Sequence, residues 1–326
     1  MATGVMAGRA GRTRPRSIAK PMRALVSHPD APYLEMAEVV EPEPRSDHAV
    51  VSVEAVSLNR GEVRRLERMA PGTIAGWDLA GTVTWPATDG SGPKAGARVV
   101  GLKDVGAWAE QVAVPTEWLA ELPNGISFEQ AATLPVAGLT ALRSLEIGGY
   151  LVGKRVLITG ASGGVGRFAV QLATLAGAHV TAIARRTEGL AGLGADQVLH
   201  DLNPDGEHFD VILDAIGGPV LGAALQRVAP RGTVISFAST IAEPVTYPTR
   251  ELFARAPGAR LHGLYIFEEL AHTRTGAADL RRLAELVAAG RLDCQIDLTV
   301  SWTEAAGAVQ ALLERRVAGK AVLTVD

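Results

Sequence analysis

The sequence is short of soft metal ligands: its 326 residues include one cysteine and seven histidines. A structural zinc lobe of four cysteines cannot be built from it, and neither can a disulfide framework. That composition fits a reducing compartment, and a cytoplasmic location is the expectation. Long apolar runs are also missing. No segment reaches the roughly 18 consecutive apolar residues of a transmembrane helix, so no membrane partner is expected. Nor is there an excess of positive charge: the formal net charge of −3 excludes a generally basic nucleic-acid binder.

That charge averages two unlike pieces. Residues 1–20 carry five basic groups (Arg9, Arg12, Arg14, Arg16 and Lys20) and no acid, leaving 27 basic against 35 acidic groups in the remainder, or −8. The leader lacks an apolar h-region and so is not a secretory signal. Its arginine-rich, acid-free composition is shared with transit peptides, but a disordered extension is the plainer reading. The whole chain is 47% hydrophobic with 36 glycines, the texture of a glycine-rich α/β enzyme. At roughly 100–200 residues per domain, one large or two ordinary domains are expected.

From Met22 the pattern is strand-like: MRALVS, AVVSVEAVSL, AGTVTW, ARVVGL and AEQVAV are short β-branched runs separated by Pro, Gly and Asp. From about Thr140, short apolar runs (RVLITG, HVTAIA, QVLH, FDVILDAI, GTVISFA, RLHGLYIF) alternate with helical stretches, as in a parallel sheet built from βαβ units. The last sixty residues mix helical stretches (AADLRRLAELVAAG, TEAAGAVQALLERR) with a final strand, GKAVLTVD, that is free to pack back on the first unit.

The most informative segment is RVLITGASGGVGRFAVQLATLAGAHVTAIARR. A buried strand, Val156 to Thr159, runs into the glycine loop 160–166, and a helix with apolar Val165, Ala169, Leu172 and Ala176 follows. A second strand over 180–184 closes the unit. This is the context that lifts a dinucleotide fingerprint above a bare pattern. Ser162, Gly163, Gly164 and Val165 present backbone to a pyrophosphate, and Gly166 allows close helix–strand packing, with Ala161 at the first-glycine position. NAD binders place an acid at the end of the second strand to accept from the ribose 2′-hydroxyl. Here Arg185 and Arg186 stand there; guanidiniums suit a 2′-phosphate instead, and NADPH is the cofactor predicted. Ordinary surface arginines after a strand are the alternative.

Two rival motifs overlap this region. Gly160–Gly164 also fits a G-x-S-x-G nucleophile elbow with Ser162 as nucleophile, but no downstream acid–histidine context completes a triad, and Gly166 and the arginines go unexplained. Tyr150 and Lys154 match a Tyr-x-x-x-Lys pair, yet they precede the first strand of the nucleotide unit and read as coincidence.

The chain resembles the medium-chain dehydrogenases/reductases, in the zinc-independent quinone oxidoreductase and enoyl reductase branch. The resemblance covers nearly everything after residue 20 and rests on ordered motifs: Ser57-Leu58-Asn59, Gly76-Trp77-Asp78-Leu79-Ala80-Gly81, Gly106-Ala107-Trp108-Ala109-Glu110, the run 134–141, the glycine loop, the run 209–214, and Gly319-Lys320. It implies a GroES-like β domain from both chain ends (21–138 and 267–326) flanking a Rossmann doubly wound parallel-sheet domain (139–266). Zinc enzymes of the superfamily have Gly-His-Glu where this chain has Gly76-Trp77-Asp78, and a ligand cysteine near Asn59. Both ligands are absent here, and Cys294 lies far away, as a small core residue would.

The expected acceptors are therefore quinones or α,β-unsaturated carbonyls, with NADPH positioned over them. A dedicated enoyl reductase tailoring a polyketide-like metabolite, and an NADPH-binding protein with little turnover, are the alternatives. By resemblance Asn59 faces the substrate cleft, unless it only forms the turn after its strand, and Thr140 begins the helix near the nicotinamide. Some relatives carry a tyrosine just after this asparagine; here the run is Asn59-Arg60-Gly61-Glu62-Val63-Arg64, so the proton donor has no assigned residue. Ligands bind at the carboxyl ends of parallel strands, which adds Ile216, Phe237, Ala238, Ser239, Leu264 and Tyr265. Tyr265 is open to an interface role instead. Lys320 either reaches the cofactor or is a solvated lysine beside the last strand. A homodimer is expected through the strand Arg260–Phe267.

Overall fold

The computed structural model describes residues 20–326, so the leader, save Lys20, lies outside the described residues. Strands β1 (Pro21–Ser27) and β2 (Leu34–Val40) form an antiparallel hairpin. Next comes β3 (His48–Leu58), whose β-branched residues are buried along most of its length because it is central to its sheet, between β15 and β4 and also pairing β6. A short helix, α1 (Arg60–Arg65), starts directly at its end. Strands β4 (Asp78–Trp85), β5 (Arg98–Leu102), β6 (Gln111–Pro115) and β7 (Leu119–Glu121) extend that sheet. Helix α2 (Phe128–Ala132) then leads through one widened turn into α3 (Leu139–Gly148).

The second sheet is six-stranded and parallel throughout. Its elements are β8 (Arg155–Thr159), α4 (Gly164–Leu175), β9 (His179–Ile183), β10 (Gln197–Leu199), β11 (Phe209–Asp214), α5 (Gly218–Gln226), β12 (Val228–Ser236), α6 (Thr249–Arg255) and β13 (Arg260–Gly263). The order β10-β9-β8-β11-β12-β13 is that of a doubly wound fold, with its switch point between β8 and β11. Both strands there are apolar at their centres and buried along most of their length, as a sheet covered on both faces requires.

The chain returns through α7 (Ile266–Thr273), α8 (Gly276–Ala288), β14 (Ile296–Ser301), α9 (Ala305–Leu313) and β15 (Lys320–Thr324). Strand β15 pairs antiparallel with β3, Ala321 opposite Leu58, and so completes a seven-stranded sheet from both chain ends. That register sets Lys320 beside the end of β3.

The expected strand Arg260–Phe267 needs correcting. It ends at Gly263, and Leu264 N–H makes one last bond to Ser236 O. Ile266, Phe267 and Leu270 are then buried from a helix, a 3.6-residue periodicity that an apolar run of four hid in the sequence. Among the described residues, no helix is long and apolar enough to cross a membrane.

Candidate active site between the two sheets

The carboxyl ends of β8, β9, β11, β12 and β13 meet the end of β3 and the start of β15. At the switch point, Thr159 Oγ1 donates to Asp214 Oδ1 (2.7 Å), and Gly217 N–H donates to Asp214 Oδ2 (2.9 Å). Burial raises the Asp214 carboxyl above its ordinary range. Gly160, one residue before the position expected, makes the tight turn with φ +64°, and Ala161 is a buried residue whose N–H bonds Ile183 O. A Cβ on Gly166 would sit 2.5 Å from Ala161 Cα, so its glycine lets α4 approach β8. Gly163 caps α4 without a side chain, leaving the first N–H groups of that helix for an anion. This loop fits a pyrophosphate.

Arg185 and Arg186 follow β9 and are both exposed. Arg186 Nη2 donates to Arg315 O (2.8 Å) and Val317 O (3.0 Å), so this guanidinium anchors the segment after α9. It thereby brings Arg315 toward Arg185, while α1 contributes Arg60 and Arg64 from the other sheet. Arg64 Nη1 donates to Ser239 O (3.4 Å), and Arg60 Nη2 donates to Leu312 O (3.5 Å). The proton affinity of Arg60 is lowered by burial and then by the charges of Arg315, Arg64, Arg185 and Arg186; that of Arg315 is lowered by burial, Arg185 and Arg64. Among the described residues none of these five forms an ion pair with a carboxylate. Sequence reasoning missed Arg60, Arg64 and Arg315, because only the packing of α1 and α9 against the nucleotide unit gathers them.

Asn59 caps α1 from the end of β3, and its amide is fully engaged. Nδ2 donates to Asp78 Oδ2 (2.7 Å) and Glu62 Oε1 (3.0 Å), and Oδ1 accepts from Lys320 Nζ (2.8 Å). Asp78 also accepts from Ser57 Oγ (3.0 Å) and from Val136 N–H (2.9 Å), which the widened turn before α3 presents. Lys320 is 2% exposed, so the solvated-lysine reading is overturned. Its Nζ reaches Leu58 O (3.3 Å) and lies 3.7 Å from Asp78 Oδ2, while its stem packs against Gly164 of the glycine loop. Burial lowers the proton affinity of Lys320 and raises that of both carboxyls; Glu62, close to Asp78 as well, is held well above the usual carboxylate range. The four polar partners of Asp78 favour its charged form and oppose the effect of burial.

The other expected residues lie along the same edge. Thr140 is buried in the first turn of α3; Ile216, Phe237, Ala238 and Ser239 line the loops after β11 and β12; Leu264 is buried and Tyr265 half exposed. Trp77 packs edge-on to Phe267 (5.4 Å between centroids), and Phe267 touches Tyr265 (5.5 Å). Glu62, Arg65, Leu66, Met69, Gly76, Trp77, Asp104 and Val105 line a small pocket of about 20 Å³. It shares Arg65, Met69, Asp104 and Val105 with an outer cleft of about 530 Å³ that Tyr265 borders. Among the described residues no three His, Cys, Asp or Glu side chains are grouped to hold a metal.

A doubly wound nucleotide sheet joined to a β unit built from both chain ends, with this cleft between them, defines a class: the chain belongs to the medium-chain dehydrogenase/reductase family, in the quinone oxidoreductase branch, and is an oxidoreductase. Residues 45–124 match the alcohol dehydrogenase GroES-like domain and residues 193–323 the zinc-binding dehydrogenase domain. The chain is 32% identical over 245 residues to a chloroplastic quinone-oxidoreductase homolog of Spinacia oleracea, covering 67% of this chain and 74% of that one. It is 37% identical over 229 residues to a chloroplast envelope quinone oxidoreductase homolog of Arabidopsis thaliana, covering 62% and 69%. An alcohol dehydrogenase superfamily protein from Novosphingobium aromaticivorans superposes with a TM-score of 0.84 at 29% identity, covering 94% of this chain and 100% of that one. The family is pyridine-nucleotide-dependent.

Proposed function

We propose that this chain is an NADPH-dependent reductase that reduces a conjugated acceptor, a quinone or an α,β-unsaturated carbonyl, without a metal ion. The observation that carries the reading is the arginine cluster at the end of β9: Arg185 with Arg315, Arg64 and Arg60 around it, repelling one another and unmatched by carboxylates. Such a cluster suits a phosphate dianion, and its position is where the 2′-phosphate of NADPH differs from NADH. Gly163, Gly164 and Val165 would hold the pyrophosphate, and Arg186 would keep Arg315 in place. When bound, the nicotinamide supplies hydride.

The donor set around Asn59 suits this chemistry better than a metal. Trp77 offers no ligand atom, the Asn59 amide is engaged by three side chains, and Asp78 is occupied by its own donors. Acceptors that take hydride at a conjugated carbon need no Lewis acid, and the outer cleft has room for a small molecule against Met69, Val105 and Tyr265. In this reading residues 21–138 with 267–326 bind acceptor and residues 139–266 bind cofactor. The exposed edge strand β13 is where a second copy would pair, and one buried cysteine suits the cytoplasm. The test is oxidation of NADPH and of NADH, each with a simple quinone and with a cyclic enone. Turnover with either acceptor and a preference for NADPH supports the reading; tight NADPH binding with neither acceptor reduced means a binding protein instead.

A further inference from the structure

Helix α1 and the tight turn after it, Leu66–Arg68, carry four arginines and send them to two places. Arg60 and Arg64, four apart, donate to Leu312 O and Ser239 O beside the cofactor cluster. Arg65 and Arg68, three apart, line the outer cleft of about 530 Å³. Val63 and Leu66 are buried and hold the segment against the core of the β unit. Gly61 lets α1 lie on Trp77, since a Cβ there would stand 2.9 Å from the ring edge, and the Arg65 guanidinium rests 5.7 Å from the centre of that ring. An aromatic face steadies the cation without occupying its N–H groups. Among the described residues Arg65 has no carboxylate in ion-pair range. Arg68 has only its exposed sequence neighbour Glu67, at 3.6 Å, a contact worth little in water.

The charge of this cleft runs against that of the protein around it. Beyond the leader the chain has 27 basic against 35 acidic groups, yet the one carboxylate on the cleft wall, Asp104, stands beside Lys103 on its own loop and pairs with neither arginine. A positive cleft in an acidic protein concentrates anions. Its other walls include Met69, Val105 and Tyr265, and Tyr265 stands in the turn after β13, at the carboxyl edge of the parallel sheet where a cofactor binds. The cleft thus joins that edge to two uncompensated guanidiniums.

We infer that the acceptor carries an acidic group, a carboxylate or a phosphate, on an arm leading away from its conjugated carbonyl, and that Arg65 and Arg68 hold that group. The inference rests on the reductase reading above and names the substrate class of that same cleft. Guanidiniums match either oxyanion through paired N–H donors, which a neutral ester or ketone cannot use as fully. Met69, Val105 and Tyr265 take the apolar stretch between the acid and the reacting carbons. One segment of chain then reads both ligands: Arg60 and Arg64 face the cofactor's phosphate, and Arg65 and Arg68 face the anion of the acceptor. The latter two determine specificity and take no part in hydride transfer.

The test uses acceptors that differ in one group: a linear enone whose arm ends in a carboxylate, the same enone as its methyl ester, and the same arm ending in a phosphate monoester. A benzoquinone series bears the same three arms. At saturating NADPH, kcat/KM is expected to be about 10-fold higher for the anions than for the ester, and the gap to close as salt rises. A gain for one anion alone supports the inference and says which acid the acceptor carries. Arg65→Gln and Arg68→Gln are each expected to lower the ratio of anion to ester, and Arg65→Glu combined with Arg68→Glu to bring it below one. The ratio is read within one protein, so a general effect of a substitution on folding or hydride transfer cancels, and NADPH titration by fluorescence shows that each variant has formed its cofactor site. A wild type that favours neither anion over the ester overturns the inference and leaves the reductase reading standing. Variants that keep the wild-type ratio overturn the assignment to these two arginines. A wild type that reduces no member of either series removes the reductase reading and this inference with it.

Discussion

Lys320 Nζ lies 2.8 Å from Asn59 Oδ1 and 3.7 Å from Asp78 Oδ2, all of it at the joint where the last strand closes the sheet begun by β3. A buried ammonium is costly unless a buried carboxylate compensates it, so each of the pair depends on the other. Lys320→Met should destabilise the fold by about 3–5 kcal/mol, measured by urea unfolding, because Asp78 is left as an uncompensated buried charge. Adding Asp78→Asn should recover part of that loss. Strictly additive costs in the double-mutant cycle would show that the two do not act as a pair.

Gly76 carries Trp77 into the pocket wall and has no room for a side chain. Its φ is +95°, and a Cβ would stand 2.0 Å from the Trp108 ring. Trp108 is fully buried and cannot retreat. Overpacking costs roughly 1–3 kcal/mol and a non-glycine residue at positive φ roughly 1–3 more. Gly76→Ala should therefore lower stability by about 3 kcal/mol, whereas Gly72→Ala, also at positive φ but with no atom near the added Cβ, should lose only the backbone part. Equal melting temperatures for the two variants would contradict the packing argument.

What the sequence made legible was what is local. The loop 160–166 announces itself through strand, glycines and helix within thirty residues, and the structure departs from the expectation there only in moving the tight turn from Ala161 to Gly160. Strands β2 and β14 were not foreseen, since much of each is exposed and neither forms an apolar run. The strand over-extended to Phe267 shows the converse: four apolar residues look alike in a strand and in a buried helical turn. Glu62 was visible only as a residue near Asn59. Its environment depends on Asp78 and Lys320, brought together by the pairing of β3 with β4 and β15, which no local pattern encodes. Arg315 was hidden for the same reason.

Cys294 offers a test of the core under α2. The thiol is 4% exposed, contacts Gln130 O at 3.4 Å, and is pushed up to about 11 by burial. Only the thiolate reacts with alkylating agents, and raising its pKa leaves little of it at pH 8. Native protein at that pH should resist iodoacetamide, and urea-unfolded protein should take up one equivalent. Rapid labelling of the native chain would mean that this part of the core opens readily.

The roles of the two strand-end arginines separate by what each touches. Arg185 repels Arg60 and Arg315 and makes no ion pair among the described residues, while Arg186 is spent on the carbonyls of Arg315 and Val317. A hydrogen bond to a charged group is worth about 1.5–3 kcal/mol, or about 10- to 100-fold in binding. Arg185→Ala should therefore raise the KM for NADPH by about 10- to 100-fold and leave that for NADH nearly unchanged. Arg315→Ala should do the same from the other side of the cleft. Arg186→Ala should impair NADPH less than Arg185→Ala does, through the looser placement of Arg315, and in an Arg315→Ala background it should add almost nothing. Binding of NADPH should weaken with rising salt more steeply than binding of NADH, because the extra contact is between charges. If all three variants weaken NADPH and NADH alike, the cluster holds the pyrophosphate or the fold, and the choice between the two cofactors is made elsewhere.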